Sequence, residues 1–181
     1  MIIAIDPGAS GAIAWCRHDG SDVHVVPMPE TRRDTIDAIK QACGEPDWQT
    51  VCYHEEINPF IPDGGASMMF NFGASVERCG CIIETLNVRL IEIPPKSWQK
   101  ELGLGGSDRI KVPKKGEATP EEIKAAKSHN AKAKGEWKAK LRSEAQRRFP
   151  NLKITLKTAD ALLILECAKL KEVQLSLGEK K

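Results

Sequence analysis

The chain has few aromatic residues and no long apolar run, and these absences exclude several classes of protein. Only 5% of the 181 residues are Phe, Trp or Tyr, and no apolar run reaches the roughly 18 residues of a membrane-spanning helix. The N-terminus opens on an apolar, strand-like segment rather than a charged signal region, so neither membrane insertion nor export is expected. The six cysteines include no Cys-x-x-Cys pair and mostly lie in apolar runs. We therefore expect reduced thiols in a cytoplasmic protein without a zinc site.

The small net charge of +2 conceals an uneven distribution of charged residues. Residues 1–105 contain 8 Lys and Arg against 15 Asp and Glu, whereas residues 106–148 contain 13 against 6. An acidic part that supplies metal ligands and a basic part that contacts phosphates are typical of nucleic-acid enzymes. The alternative is a lysine-rich helix face that is simply solvated.

Short apolar runs bounded by Gly and Pro alternate with stretches of helical periodicity, which predicts one α/β domain over residues 1–181. A mixed sheet covered by helices is the architecture that this order favours. The expected strands lie near 1–6, 10–16, 22–28, 50–57 and 88–93, and the expected helices near 32–43, 66–87, 96–102, 120–149 and 161–170.

Acidic residues stand at the ends of three elements that are expected to be buried. Asp6 follows the run Ile2-Ile3-Ala4-Ile5, Glu55-Glu56 follow a β-prone run, and Asp160 precedes an apolar helix. Carboxylates in such positions lose solvation unless they are paired or bind a metal, and Mg²⁺ takes oxygen ligands of this kind. The alternatives are a turn former at Asp6, a solvated strand end at Glu55 and a helix cap at Asp160.

At this point the sequence resembles a known family. The stretch IIAIDPGASGAIAW is similar to the opening of RuvC-type Holliday junction resolvases, which share the ribonuclease H-like fold. The later blocks EINPFIPDGGASMMFNFGASVERCGCIIETLNVRLIEIPPKSWQKELGL, FPNLK and TADALLILECA resemble those of phage and bacterial members, in the same order. The resemblance implies an α/β mixed sheet flanked by helices. It also implies an endonuclease that makes paired symmetric nicks in four-way junctions with two Mg²⁺ ions per site, for which Mn²⁺ would substitute.

The resemblance also implies roles for individual residues. It makes Asp6, Glu56 and Asp160 the metal ligands, and it prefers Glu56 to Glu55 because Glu56 keeps the family's distance to the Ser-Met-Met-Phe block. Three residues before Asp160, where many members have Asp or His, this chain has Lys157. We expect Lys157 to offset charge or to contact the scissile phosphate; a solvated Lys157 or a shifted register is the alternative.

Residues 103–136 are rich in Gly, Lys, Pro and Ala, which predicts a mobile basic insertion. From Pro120, capped by Thr119, a helix or a broken helix is expected to residue 149, with Gly135 as the place of a break. Phe60 lies where the family places an aromatic side chain that wedges into or stacks on junction bases, or it packs beneath its own loop. The basic residues expected to contact DNA are Lys96, Lys100, Lys111, Lys114, Lys115, Lys138 and Arg142.

The family's members are homodimers, so the apolar helix near 66–87 is expected to contribute to a dimer interface; burial on both sides within a monomer is the alternative. Three other functions compete with a junction resolvase. A branched-DNA or flap endonuclease would keep the same acids, and a non-catalytic junction-binding protein would explain Lys157. Half of a sugar-kinase or actin-like ATPase is disfavoured because no second Asp-Gly-rich phosphate loop is present.

Overall fold

The computed structural model describes residues 1–57, 65–114 and 116–178. Over these residues the chain forms five strands and five helices, close to the positions expected from the sequence. The strands are β1 (Ile2–Asp6), β2 (Ala12–Cys16), β3 (His24–Pro27), β4 (Val51–Glu55) and β5 (Arg89–Ile93). The helices are α1 (Arg32–Cys43), α2 (Ala66–Thr85), α3 (Pro95–Glu101), α4 (Pro120–Arg148) and α5 (Ala159–Gly178).

The strands form one mixed sheet in the order β3-β2-β1-β4-β5. Strands β1, β2 and β3 form an antiparallel meander. On the other side of β1, β4 pairs with it in parallel, and β5 pairs in parallel with β4. Parallel strands need crossover connections, and α1 and α2 provide them. This mixed sheet flanked by helices confirms the α/β class expected from the sequence and fits the expected ribonuclease H-like arrangement.

The sheet separates two apolar cores, because successive side chains along a strand point to opposite faces. Ile2 and Ala4 of β1 join one core with α5, whereas Ile3 and Ile5 join the other core with α1 and α2. Residues 161–165 of α5 are all buried, since this helix packs against β1, β2 and β4 and is covered by α3 and α4. Burying each Leu or Ile in such a position stabilises the fold by about 1.5 to 3 kcal/mol.

Helix α4 differs from its expected form, since it continues through Gly135 for 29 residues. The predicted break is wrong: glycine costs a helix only about 1 kcal/mol relative to alanine, and the buried side chains of Ala133 and Leu141 anchor the turns on either side. At its start, Thr119 and Glu122 form a capping box, which confirms the predicted cap.

The loop before α4 is tied to that helix by side chains that bind its backbone. The Asn130 amide accepts from the Ile110 N–H at 2.8 Å and donates to the Ile110 carbonyl at 2.9 Å. Lys140 donates to the Leu104 carbonyl at 2.9 Å. These bonds give the loop a defined course, while its mobility in solution stays a prediction.

All six cysteines are free, and five of them are buried. None of the helices described is long and apolar enough to cross a membrane.

Candidate active site

The turn between β1 and β2 positions Asp6 at the C-terminal end of β1, the central strand of the sheet. Gly8 adopts a left-handed φ of 101°, and its N–H donates to Ser75 Oγ at 3.2 Å. Gly11 closes the turn with a bond to the Gly8 carbonyl. A Cβ on Gly11 would lie 1.9 Å from the carbonyl oxygen of Asp6. Only glycine therefore fits beside Asp6 as the turn is built.

Glu55 is the carboxylate of β4 that the structure brings to Asp6. Val51 and Tyr53 face the same core as Ile2 and Ala4, so the two-residue period of the strand places Glu55 on that face as well. Its side chain is buried, and Trp98 Nε1 donates to Glu55 Oε1 at 2.9 Å.

The structure therefore brings Glu55 rather than Glu56 into this cluster, and the metal-binding role expected of Glu56 stays a prediction. Glu56 lies one residue beyond β4, where its backbone N–H donates to the Ile93 carbonyl at 2.9 Å, and its side chain is exposed. The distance to the Ser-Met-Met-Phe block favoured Glu56, but strand alternation decides which of two adjacent acids faces the core that contains α5.

Asp160 and Lys138 complete the cluster from the two helices that cover this core. Asp160 lies in the first turn of α5 and is 6% exposed. Its Oδ2 forms an ion pair with the ammonium group of Lys138 on α4. Its Oδ1 is buried without a hydrogen-bond partner in the described part of the chain. One carboxylate oxygen therefore remains free to bind a further donor or a cation.

Asp6 and Glu55 hold their protons more tightly than carboxyl groups usually do, because the pKa of each is raised. Burial raises the pKa of Asp6 well above its ordinary value, and the negative charges of Glu55 and Asp160 add to the effect. Burial also raises the pKa of Glu55, against the hydrogen bond from Trp98. The interaction between the two carboxyl groups raises the pKa of Asp6 and lowers that of Glu55.

Lys138 responds to the same charges in the opposite sense. Burial alone would lower the pKa of its ammonium group, but attraction to Asp160, Asp6 and Glu55 outweighs burial and raises it. The cluster is thus three carboxyl groups that share one ammonium cation, and it remains short of positive charge.

The donors in the cluster are of the type that a hard divalent cation binds. Carboxylate oxygens are preferred by Mg²⁺, and the free Oδ1 of Asp160 is a buried acceptor without a partner. In the present side-chain arrangement, the structure shows no group of three His, Cys, Asp or Glu side chains close enough to hold a metal ion. This holds for residues 1–57, 65–114 and 116–178. The cation paired with Asp160 in this arrangement is the ammonium group of Lys138.

Lys157 does not reach the cluster. Its side chain is exposed and makes no ion pair with the residues described. The turn at residues 155–158 precedes α5, which begins at Ala159, so Lys157 and Asp160 do not share a helix face as residues three apart within a helix do. Lys138 is the lysine that pairs with Asp160, and a contact of Lys157 with the scissile phosphate stays a prediction.

The other predicted DNA-binding residues are spread over the surface near α3 and α4. Lys96 and Lys100 line an open groove beside the cluster, and Lys111 and Lys114 are exposed on the loop before α4. Arg142 Nε instead donates to the Ile154 carbonyl at 3.1 Å and ties α4 to the following loop. Phe60 and Lys115 lie outside the described residues.

Two contributions to the site were not expected from the sequence. Trp98 donates a hydrogen bond to Glu55, although a lone aromatic residue in a short polar helix predicts only packing. Trp137, on the turn that carries Lys138, lines the groove. The only sequence feature that could have pointed to a role for Trp137 at the groove is that it lies close to several lysines in the chain.

The sequence matches no model of a known protein family and no curated protein. Solved structures with a similar backbone include Thermus thermophilus RuvC, at 13% identity and a TM-score of 0.49 over 97% of this chain and 95% of that one. Another is T. thermophilus RuvC in complex with a Holliday junction substrate, at 12% identity and a TM-score of 0.49 over 97% and 94% of the two chains. The roles of residues here rest on the geometry of this chain.

Proposed function

We propose that this chain is a divalent-metal-dependent endonuclease that cuts branched DNA and resolves Holliday junctions by paired symmetric nicks. The observation that carries the proposal is the meeting of Asp6, Glu55 and Asp160, from three separate elements, at one buried edge of the sheet. The resemblance of the surrounding sequence blocks to RuvC-type resolvases supports the same activity.

The three carboxylates are the residues that would hold Mg²⁺ or Mn²⁺. When bound, a pair of such ions activates a water and stabilises the leaving oxygen in phosphodiester hydrolysis. Trp98 holds the Glu55 carboxylate in one orientation, and Gly11 leaves room for Asp6. Lys138, once its ammonium is released from Asp160, supplies a positive charge for the phosphate next to the cut.

Positive charge on the surface around the cluster suits the DNA backbone. Lys96 and Lys100 on α3 line the groove beside the cluster, and Lys138 on α4 contacts Asp160. Contacts of this kind bind phosphates and confer no choice of sequence. They are consistent with a substrate defined by its shape.

A homodimer is part of the proposal, because a four-way junction presents two equivalent strands for cutting. Helix α2 buries only Cys79 and Ile83 within this chain, while Met68 and Phe70 are 51% and 76% exposed. A second copy packed on this apolar face would place two active sites under two-fold symmetry.

A broader branched-DNA or flap endonuclease is the second candidate. The observation that favours it is the open groove beside the cluster, of about 1260 Å³, which has room for an unpaired strand. A non-catalytic junction-binding protein is disfavoured, because it has no need for three buried carboxyl groups that repel one another.

The test is cleavage of an end-labelled synthetic four-way junction beside linear duplex and a flap of the same sequence, with Mg²⁺ and with chelator. Asp6→Asn is the inactive variant, and Asp37→Asn is the matched control, since Asp37 is an exposed residue of α1 paired with Arg33. Symmetric nicks in the junction, lost in chelator and in Asp6→Asn but kept in Asp37→Asn, are expected. Equal cutting of flap and junction would favour the second candidate, and binding without cutting in any metal would refute both.

A further inference from the structure

An open groove runs beside the carboxylate cluster, between α3, the loop after it and the middle of α4. Its volume is about 1260 Å³, and its lining includes Glu56, Lys100, Arg109 and Trp137. The groove adjoins the cluster through neighbouring residues. Glu56 follows Glu55 in the chain, and Trp137 precedes Lys138. The groove and the cluster are therefore close neighbours on the molecule.

One wall of the groove is basic. Lys96, Lys100 and Arg109 line it with exposed side chains, and none of the three forms an ion pair with a described residue. Among the residues that the structure describes, the lining contains one carboxylate, that of Glu56. Unpaired cations along a groove attract a polyanion and favour a chain of phosphates over a neutral ligand.

The adjoining wall offers hydrogen-bond donors without partners. Gly103 and Gly105 adopt left-handed φ angles of 69° and 76°, which turn the backbone along the groove. Within the described part of the chain, the N–H groups of Gly105 and Gly106 make no hydrogen bond. The Ser107 hydroxyl is buried and has no partner there either. Backbone N–H groups in such a turn suit an anionic oxygen.

The third component is an aromatic ring held in place. Trp137 is half-buried and packs partly against the core of α5. Lys140 Nζ lies 5.3 Å from the centre of the Trp137 ring and also donates to the Leu104 carbonyl. These contacts fix the indole at the groove, where it can stack with a base.

We propose that this groove binds an unpaired segment of DNA strand, with phosphates against Lys96, Lys100 and Arg109 and a base stacked on Trp137. Grooves that hold single strands combine a basic track with an aromatic platform in this way. The inference rests on the proposed nuclease function for the identity of the polymer. It adds a substrate requirement: a few nucleotides next to the cut must be unpaired in the bound branch, whether they are already single-stranded or become unpaired on binding.

The test is binding of a fluorescein-labelled oligo-dT strand of about eight nucleotides, measured by anisotropy in chelator so that no cleavage occurs. Trp137→Ala should weaken binding by about 5- to 150-fold, the equivalent of about 1 to 3 kcal/mol for one stacked base. Trp137→Phe should restore most of the affinity. Trp48→Ala is the matched control, because Trp48 is 87% exposed and does not line the groove.

Two further readouts separate the outcomes. Lys100→Ala and Arg109→Ala should each reduce the salt dependence of oligo-dT binding, by a slope of about 0.7. A Trp137→Ala variant that melts like the wild type and binds oligo-dT as tightly as the wild type would overturn the groove proposal, even if junctions are cut. Trp137-dependent binding in a protein that cuts no branched DNA would leave the groove standing and refute the proposed function instead.

Discussion

Replacing Lys138 by methionine tests whether its ammonium group occupies the place of a cation in the cluster. Methionine keeps most of the length of the side chain and removes the charge. Breaking a fully buried ion pair costs about 3 to 5 kcal/mol, whereas an exposed pair contributes about 0 to 1 kcal/mol. The side chain of Lys138 is 37% exposed and that of Asp160 is 9% exposed. We therefore expect Lys138→Met to lose about 1 to 3 kcal/mol of stability without metal.

Thermal unfolding in chelator at neutral pH measures this loss. For a domain of this size, each 1 kcal/mol shifts Tm by about 2 to 4 °C, so Tm should fall by about 2 to 12 °C. Lys134→Met is the matched control, because Lys134 is exposed one turn earlier on the same helix. Its stability should change by less than about 0.5 kcal/mol.

Addition of Mg²⁺ then distinguishes a competing cation from a purely structural one. In the wild type an ion must displace the ammonium from Asp160, whereas in Lys138→Met it need not. The variant should therefore show the larger rise in Tm, and half of that rise should require about 5- to 150-fold less Mg²⁺. A smaller Mg²⁺-dependent rise in the variant than in the wild type would refute the reasoning.

Three further substitutions test how the site is built. Glu55→Gln should abolish cleavage while Glu56→Gln retains it, as measured on the four-way junction; the reverse result would restore the expectation from the sequence. Trp98→Phe removes the hydrogen bond that lowers the pKa of Glu55, so the acid limb of the pH–rate profile should move to higher pH, and an unmoved limb would contradict the role of this bond. Gly11→Ala places a Cβ against the Asp6 carbonyl and should cost about 1 to 3 kcal/mol together with cleavage activity; a wild-type Tm and rate would show that the turn adapts.

The strands and most helices could be predicted from the sequence because their signals are local. Apolar runs bounded by Gly and Pro located β1 and β2, and Thr119 with Pro120 located the start of α4. Gly135 was misjudged because the propensity of a single residue was weighed without the packing of its neighbours on α5. Local sequence signals therefore predict where helices and strands lie, whereas side-chain packing decides whether a helix continues through a residue such as Gly135.

The site could be predicted only in part, because its geometry is not local. Asp6 and Asp160 could be singled out from the sequence because each stands at one end of an apolar element. The choice between Glu55 and Glu56 depends on the register of β4 against β1 and on which face α5 covers. Lys138 lies on a different helix, 22 residues from Asp160, so no spacing pattern separates it from the other lysines of α4.

The carboxyl cluster reduces the stability of the fold, and Asp6→Asn measures by how much. The pKa of Asp6 is raised above its ordinary value of 3.8, so the native state binds the proton more tightly than the unfolded chain does. Stability therefore falls as the pH rises from about the ordinary pKa towards the native one, and the full penalty applies above that window. Asparagine cannot ionise, so Asp6→Asn should raise Tm in chelator at neutral pH, and the gain should shrink below about pH 4.

The same repulsion makes the cluster receptive to a cation, so the effect should reverse when Mg²⁺ is added. The wild type gains stability from the ion, while Asp6→Asn lacks both a ligand and part of the negative charge that attracts the ion. In chelator, Asp6→Asn is expected to have the higher Tm. At saturating Mg²⁺ the difference in Tm between Asp6→Asn and the wild type should therefore become smaller or change sign. If Asp6→Asn is destabilising in chelator at neutral pH, the raised pKa of Asp6 and the electrostatic origin of cation binding are both wrong.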